Sequence, residues 1–185
     1  MFIRMLAAVV GLVLALGGPG AVAQDKDKDK PSPAEFLIKE GKRLRDAKDF
    51  PAALEYFEAA AKLDPESADA LVQAAWVANE TGDYAKGVRL ATAATKLDAD
   101  NSEAWSELGY AQLKQKKYAQ AIRSLKRAIE KDEKNWNAYD YLAAAHREDG
   151  DDDEAQAVEA LKKKKMGAAK EPKDKPKDKE PKDKD

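Results

Sequence analysis

Between Ser102 and Ile129, apolar and small residues recur at three- and four-residue steps in two separate runs. The first holds Ala104, Trp105, Leu108 and Ala111, with Gln112 on the same stripe; the second holds Tyr118, Ala121, Ile122, Leu125, Ala128 and Ile129. Such spacing gathers each set on one face of a helix, so the stretch predicts two amphipathic helices. The double run returns at a fixed interval. Leu71 and Trp105 stand 34 positions apart, as do Ala74 and Leu108, Tyr84 and Tyr118, Gly87 and Ala121, and Ala94 and Ala128. One interval further back lie Leu37, Glu40, Phe50, Ala53 and Ala60, and one interval forward lie Tyr139, Leu142, Asp152 and Ala155. Blocks therefore begin at Ala34, Ala68, Ser102 and Trp136 with no insertion or deletion between them. In each, roughly the first fourteen residues predict one helix and roughly the sixteenth to twenty-eighth a second. A fixed period of this size means stacked helical units, none able to bury its apolar face alone.

Short turns separate the helices within each block: Ala47-Lys48-Asp49, Thr81-Gly82-Asp83, Gln115-Lys116-Lys117 and Asp149-Gly150-Asp151. Glycine there permits the left-handed residue that ends a helix, and aspartate suits the start of the next. Ala53, Gly87, Ala121 and Ala155 share one position, where small side chains let helix backbones approach. Phe50, Tyr84 and Tyr118 share another, as wedges against the first helix. Trp105 and Tyr139 read as packing residues. The fourth block departs: Glu159 replaces Phe57, Ala91 and Leu125, Lys162 replaces Ala60, Ala94 and Ala128, and Asp152 replaces the wedge. That suits a terminal helix with a polar outer face, Ala155, Val158 and Leu161 facing inward.

The period, with Trp105, Leu108, Gly109, Ala121, Leu125 and Ala128, resembles the tetratricopeptide repeat family. The resemblance covers Ala34 to Lys165. It departs where a closing Pro is expected: only Pro65 is present, with Ala99 and Glu133 at the equivalent positions. The Leu-Gly pair is Glu40-Gly41, Ala74-Ala75 and Leu142-Ala143 in the other blocks. The resemblance implies an all-α fold, a right-handed superhelical solenoid of helix-turn-helix repeats: repeat 1 at 34–67, repeat 2 at 68–101, repeat 3 at 102–135, and repeat 4 with the C-terminal cap at 136–165. It also implies a concave face, lined by the first helices, that holds a protein or peptide partner. Carried over position by position, the partner-binding set is Lys42, Val72, Trp76, Asn79, Glu103, Ser106, Tyr110, Asp140 and Arg147, with Asp69 and Asn137 beside them. Trp76 and Tyr110, one repeat apart, are expected side by side as central anchors; the bland alternative packs both rings between repeats. The lysine–asparagine clamp that some members use for a C-terminal carboxylate is not supported by Lys42, Val72, Trp76, Ser106 and Asp140.

Composition narrows the chemistry. The chain has no cysteine and one histidine, His146, which excludes disulfides, thiol catalysis and a multi-histidine metal site. No nucleophile elbow, zinc-helix or phosphate-loop motif occurs, so no enzyme and no cofactor are expected. Asp149 to Glu154, DGDDDE, lacks the glycine and glutamate spacing of a calcium loop and reads as a turn and an acidic helix start. Residues 34–161 carry 18 Lys and Arg against 26 Asp and Glu, which argues against nucleic acid.

Residues 1–23 read as a signal peptide, with Arg4, the apolar run Met5–Leu16, a Gly/Pro break and Ala21-Val22-Ala23 for cleavage before Gln24. The run falls short of a membrane span, although an uncleaved anchor is the competing reading. Export to a periplasm follows, with secretion as the alternative. Residues 24–33 read as a charged, proline-ended linker, and 166–185 as a disordered Lys/Asp/Pro tail. From Lys162 on, 11 Lys face 6 Asp and Glu, so this basic end could contact anionic surfaces or serve only as a solubilising tail. The functional expectation is a non-enzymatic scaffold that holds a protein or peptide partner in the cell envelope. Its alternative is a self-associating envelope assembly protein.

Overall fold

The computed structural model describes residues 31–170. The expected signal peptide, most of the linker and the tail beyond Lys170 lie outside the described residues. The repeats belong to one compact unit that begins at Ser32. It holds eight helices and, among the described residues, no strand: α1 (Pro33–Asp46), α2 (Phe50–Leu63), α3 (Ala68–Glu80), α4 (Tyr84–Leu97), α5 (Ser102–Lys114), α6 (Tyr118–Lys131), α7 (Trp136–Asp149) and α8 (Asp152–Lys170). They pair as α1–α2, α3–α4, α5–α6 and α7–α8, and each second helix packs on the first helix of the next pair. The result is an all-α solenoid in the register that the sequence period predicts.

Local chemistry fixes the helix ends. Ser32 and Glu35 cap α1 reciprocally: the Ser32 hydroxyl accepts from the Glu35 amide, and the Glu35 carboxylate accepts from the Ser32 amide. Ser67, Asn101 and Asn135 cap α3, α5 and α7, and Asp49 and Asp83 cap α2 and α4. Lys48, Gly82, Lys116 and Gly150 occupy one turn position, and all four adopt positive φ, from 61° to 96°. Two repeats meet that demand with glycine and two with lysine, whose Cβ is strained there. The third turn is the weakest, because Lys117 also supplies no side-chain cap to α6. Lys116→Gly combined with Lys117→Asp should therefore raise the unfolding free energy by about 1–2 kcal/mol. Urea unfolding checks this; an unchanged midpoint would mean that the turn stores no such strain.

The core is built mostly from alanine, with a few large side chains placed opposite glycine. Tyr139, Phe57, Leu125 and Val77 are the largest fully buried residues. A Cβ added to Gly41 would fall 2.6 Å from the Phe57 ring, and one added to Gly109 would fall 2.5 Å from Leu125 Cγ. The equivalent positions in the second repeat are Ala75 and Ala91, both fully buried in one cluster. Glycine opposite a large residue thus alternates with alanine opposite alanine, keeping the helices close at near-constant filled volume.

The wedge aromatics are half-buried, and the ring partners of Phe50 and Tyr84 belong to the next repeat. Phe50 meets Trp76 edge-on at 6.0 Å between centroids, and Tyr84 meets Tyr110 at 6.4 Å. Tyr139 is buried as expected. Trp105 is half-buried, with its indole N–H donating to the Ala99 carbonyl at 2.9 Å and Arg127 stacked 4.8 Å from the ring centroid. The last helix departs from expectation in two ways. Leu161 is 44% exposed rather than inward-facing, and among the described residues no further helix follows α8 to cover it. The helix also runs to Lys170, so the boundary expected after Lys165 falls inside it. No helix of the described residues is long and apolar enough to cross a membrane.

Candidate partner-binding cleft

The first helices of the repeats line an open cleft of about 600 Å3. Helix α1 contributes Lys42 and Arg45. Helix α3 adds Asp69, Val72, Gln73 and Trp76, and α5 adds Glu103, Ser106 and Glu107. Asp132, Lys134, Asn135, Trp136 and Asn137, from the α6–α7 connection and the start of α7, close one side. These residues meet because the repeat period returns the first-helix face to the same side at each step.

One wall is ordered by polar contacts between α1 and α3. Arg45 donates to Gln73 Oε1 at 2.5 Å, Gln73 Nε2 donates to Asp69 Oδ1 at 3.0 Å, and Lys42 Nζ donates to Asp69 Oδ2 at 3.0 Å. The Arg45 guanidinium also lies 5.4 Å from the Trp76 ring centroid, so the half-buried indole is held between a cation and Phe50. Across the cleft, the buried Glu107 carboxylate accepts from Asn79 Nδ2 at 2.7 Å. Burial pushes the Glu107 carboxyl up to about 7; the Asn79 bond opposes that shift, and Glu80 and Glu103 add to it. Ser106 is buried in the wall, and its hydroxyl has no hydrogen-bond partner. Exposed Glu103 stands at the rim. The cleft therefore presents two indoles and side chains of both charge signs. Among the described residues, no group of three or more acidic, histidine or cysteine side chains is set to hold a metal.

Five of the nine residues expected from the repeat positions line this cleft: Lys42, Val72, Trp76, Glu103 and Ser106. Asp69 and Asn137 line it too. Val72 does so as a buried residue, packed with Ala94 and Ala104. The other four do not. Asn79 is buried and bonded to the Glu107 side chain and carbonyl. Asp140 is held by Lys162 at 2.6 Å, and Arg147 by Glu159 at 2.7 Å, both from α8. Tyr110 belongs to a tyrosine cluster, 4.6 Å from Tyr141 and 6.4 Å from Tyr84 between centroids. Trp76 and Tyr110 are thus not paired anchors: each ring packs against the wedge aromatic of the preceding repeat, and only Trp76 reaches the cleft. The second indole there is Trp136, which the position rule omits because it opens the block.

Arg45, Gln73, Glu107 and the 132–136 segment were also missed. Gln73 and Glu107 share one repeat position, and the recurrence of a long polar side chain on a small-residue helix face is the signal by which the sequence marks them.

Two tetratricopeptide repeat family models match residues 44–108 and 102–135. No curated protein matches the chain. Among solved structures, residues 41 to the end of MamA from Desulfovibrio magneticus RS-1 superpose with a TM-score of 0.67 at 16% identity, covering 78% of this chain and 82% of that one. TTC0263, a thermophilic TPR protein in Thermus thermophilus, gives 0.64 at 18% identity, over 70% and 72%. The first TPR of Spaghetti (RPAP3), bound to the HSP90 peptide SRMEEVD, gives 0.59 at 18% identity, over 69% and 97%. At these identities the likeness carries the fold. With four helix pairs in one register and repeat models matching from residue 44 to residue 135, the chain belongs to the tetratricopeptide repeat family.

Proposed function

We propose that this protein is a non-enzymatic interaction module that holds an extended segment of a protein partner in the cleft between α1, α3, α5 and the start of α7. The observation that carries the reading is the cleft itself: an open trough with Trp76 and Trp136 in its lining and charged residues around them. Half-buried indoles flanked by charge are what an interface hot spot is made of. The RPAP3 domain, solved with a peptide, supports the same use of the fold. Arg4, the apolar run Met5–Leu16 and Ala21-Val22-Ala23 support export, so the partner is sought in the cell envelope.

The test is a crosslinked pull-down from envelope extract with the chain from Gln24, followed by affinity measurement on the captured partner. Trp76→Ala should weaken binding by at least about thirtyfold, the loss of a hot-spot aromatic. Because Trp76 also touches the core, Glu103→Lys provides a second variant at an exposed position; it should weaken binding with unchanged helicity by circular dichroism. Tyr110→Ala should have little effect on affinity. Binding indifferent to Trp76 and Glu103 would remove the cleft as the site, and capture only of further copies of the chain would favour self-association.

A further inference from the structure

Two of the aromatic contacts between repeats follow one rule. Phe50 meets Trp76 and Tyr84 meets Tyr110, each pair made of the first residue of a second helix and a ring 26 positions later. The third instance pairs Tyr118 with position 144, and that residue is alanine. A hollow of about 220 Å3 lies there, lined by Leu113, Lys114, Lys116, Tyr118, Ala144 and Glu148. One repeat earlier those positions are Asn79, Glu80, Gly82, Tyr84, Tyr110 and Lys114, so the lining is the set of residues that surrounds the Tyr110 position. The chain fills this position with its own ring at two junctions and leaves it empty at the third.

We propose that this hollow is a docking site for an aromatic side chain of a partner segment, with a carboxylate beside the ring. The ring is specified by the two filled junctions, where Phe50 and Tyr84 each present an aromatic surface that another aromatic meets edge-on. The acid is specified by charge: Lys114 and Lys116 are both exposed on the lining, against the single acid Glu148. Lys114 already places its ammonium 5.3 Å from the Tyr110 ring centroid, so a cation over a π face is part of this edge of the solenoid. The hollow shares no lining residue with the cleft, and this proposal stands whether or not the cleft is the partner site.

The probes are three peptides titrated into the full chain and read by amide chemical shifts: acetyl-Asp-Trp-Asp-amide, acetyl-Asp-Ala-Asp-amide and acetyl-Lys-Trp-Lys-amide. The first should give saturable shifts at residues 113–118 and 144–148 and bind about tenfold or more tightly than either of the others. Ala144→Trp should fill the hollow from within, raise the melting temperature and abolish those shifts. Should that variant fail to fold, Lys114→Glu combined with Lys116→Glu, both at exposed positions, should instead weaken the first peptide about tenfold. The proposal is overturned by absence of saturable shifts at those residues, by equal binding of the alanine peptide, or by binding that survives Ala144→Trp in a folded chain. Unchanged binding to the lysine-to-glutamate variant, or equal binding of the two tryptophan peptides, would remove the acidic preference.

Discussion

Phe57→Ala should lower the unfolding free energy by about 3–5 kcal/mol, and adding Gly41→Ala to it should restore about 1–2 kcal/mol. The same Gly41→Ala change made alone should cost about 1–3 kcal/mol. Phe57 is fully buried, and its ring occupies the space in which a Gly41 Cβ would lie, 2.6 Å from the nearest ring carbon. Truncating the ring opens a cavity, and adding a methyl beside the intact ring overpacks it. Together the two changes recreate the Ala75–Ala91 combination that the second repeat already uses. The effect of one methyl group should therefore reverse sign with the size of the residue opposite. Urea unfolding of the four proteins in a double-mutant cycle reads this directly. A Gly41→Ala cost that persists when Phe57 is absent would show that the glycine serves some other purpose.

The largest pH effect should come from Glu107. Its folded pKa of about 7 lies above the ordinary 4.5, chiefly because the carboxyl is buried. Between those values the folded chain keeps a proton that the unfolded chain has released. The stability contributed by that proton is complete below about pH 4.5, declines as pH rises and is gone above about pH 7. A shift of this size corresponds to about 3 kcal/mol across the window. Between pH 5 and pH 8 the wild-type chain should lose about 2–3 kcal/mol more than Glu107→Gln, which has no proton to lose. Denaturant titrations of both proteins at the two pH values would decide it, and parallel losses would show that Glu107 is ionised throughout.

The solenoid was legible because its signal is redundant: four blocks repeat the same small positions, and each repetition fixes the face of the next. Gly41, Ala53, Ala121 and Ala128 belong to helices because three- and four-residue spacing dictates it, whatever surrounds them. The cleft was legible only in part. Sequence register says which side a residue faces, but not what reaches across to meet it. Asp140 and Arg147 face the expected side, yet Lys162 and Glu159 engage them, because the polar last helix forms ion pairs where its predecessors supplied apolar contacts. Tyr110 occupies the repeat position of Trp76 but finds Tyr141 beside it, while the residue equivalent to Tyr141 before it is Glu107. Trp136 and the 132–136 segment reach the cleft from a connection, where a position rule drawn from helices has no register to use.

The paired volumes in the core also define what can be exchanged between genes. Gly41 and Phe57, Ala75 and Ala91, and Gly109 and Leu125 each lie inside a single repeat. A crossover at a repeat boundary carries every such pair intact, so duplication or deletion of whole repeats leaves the packing inside each unit undisturbed. A crossover between the two helices of one repeat can join Ala75 to Phe57 or Gly109 to Ala91, producing an overfilled unit or a hollow one. The heritable module of this protein is therefore the helix pair, and its seams run between pairs.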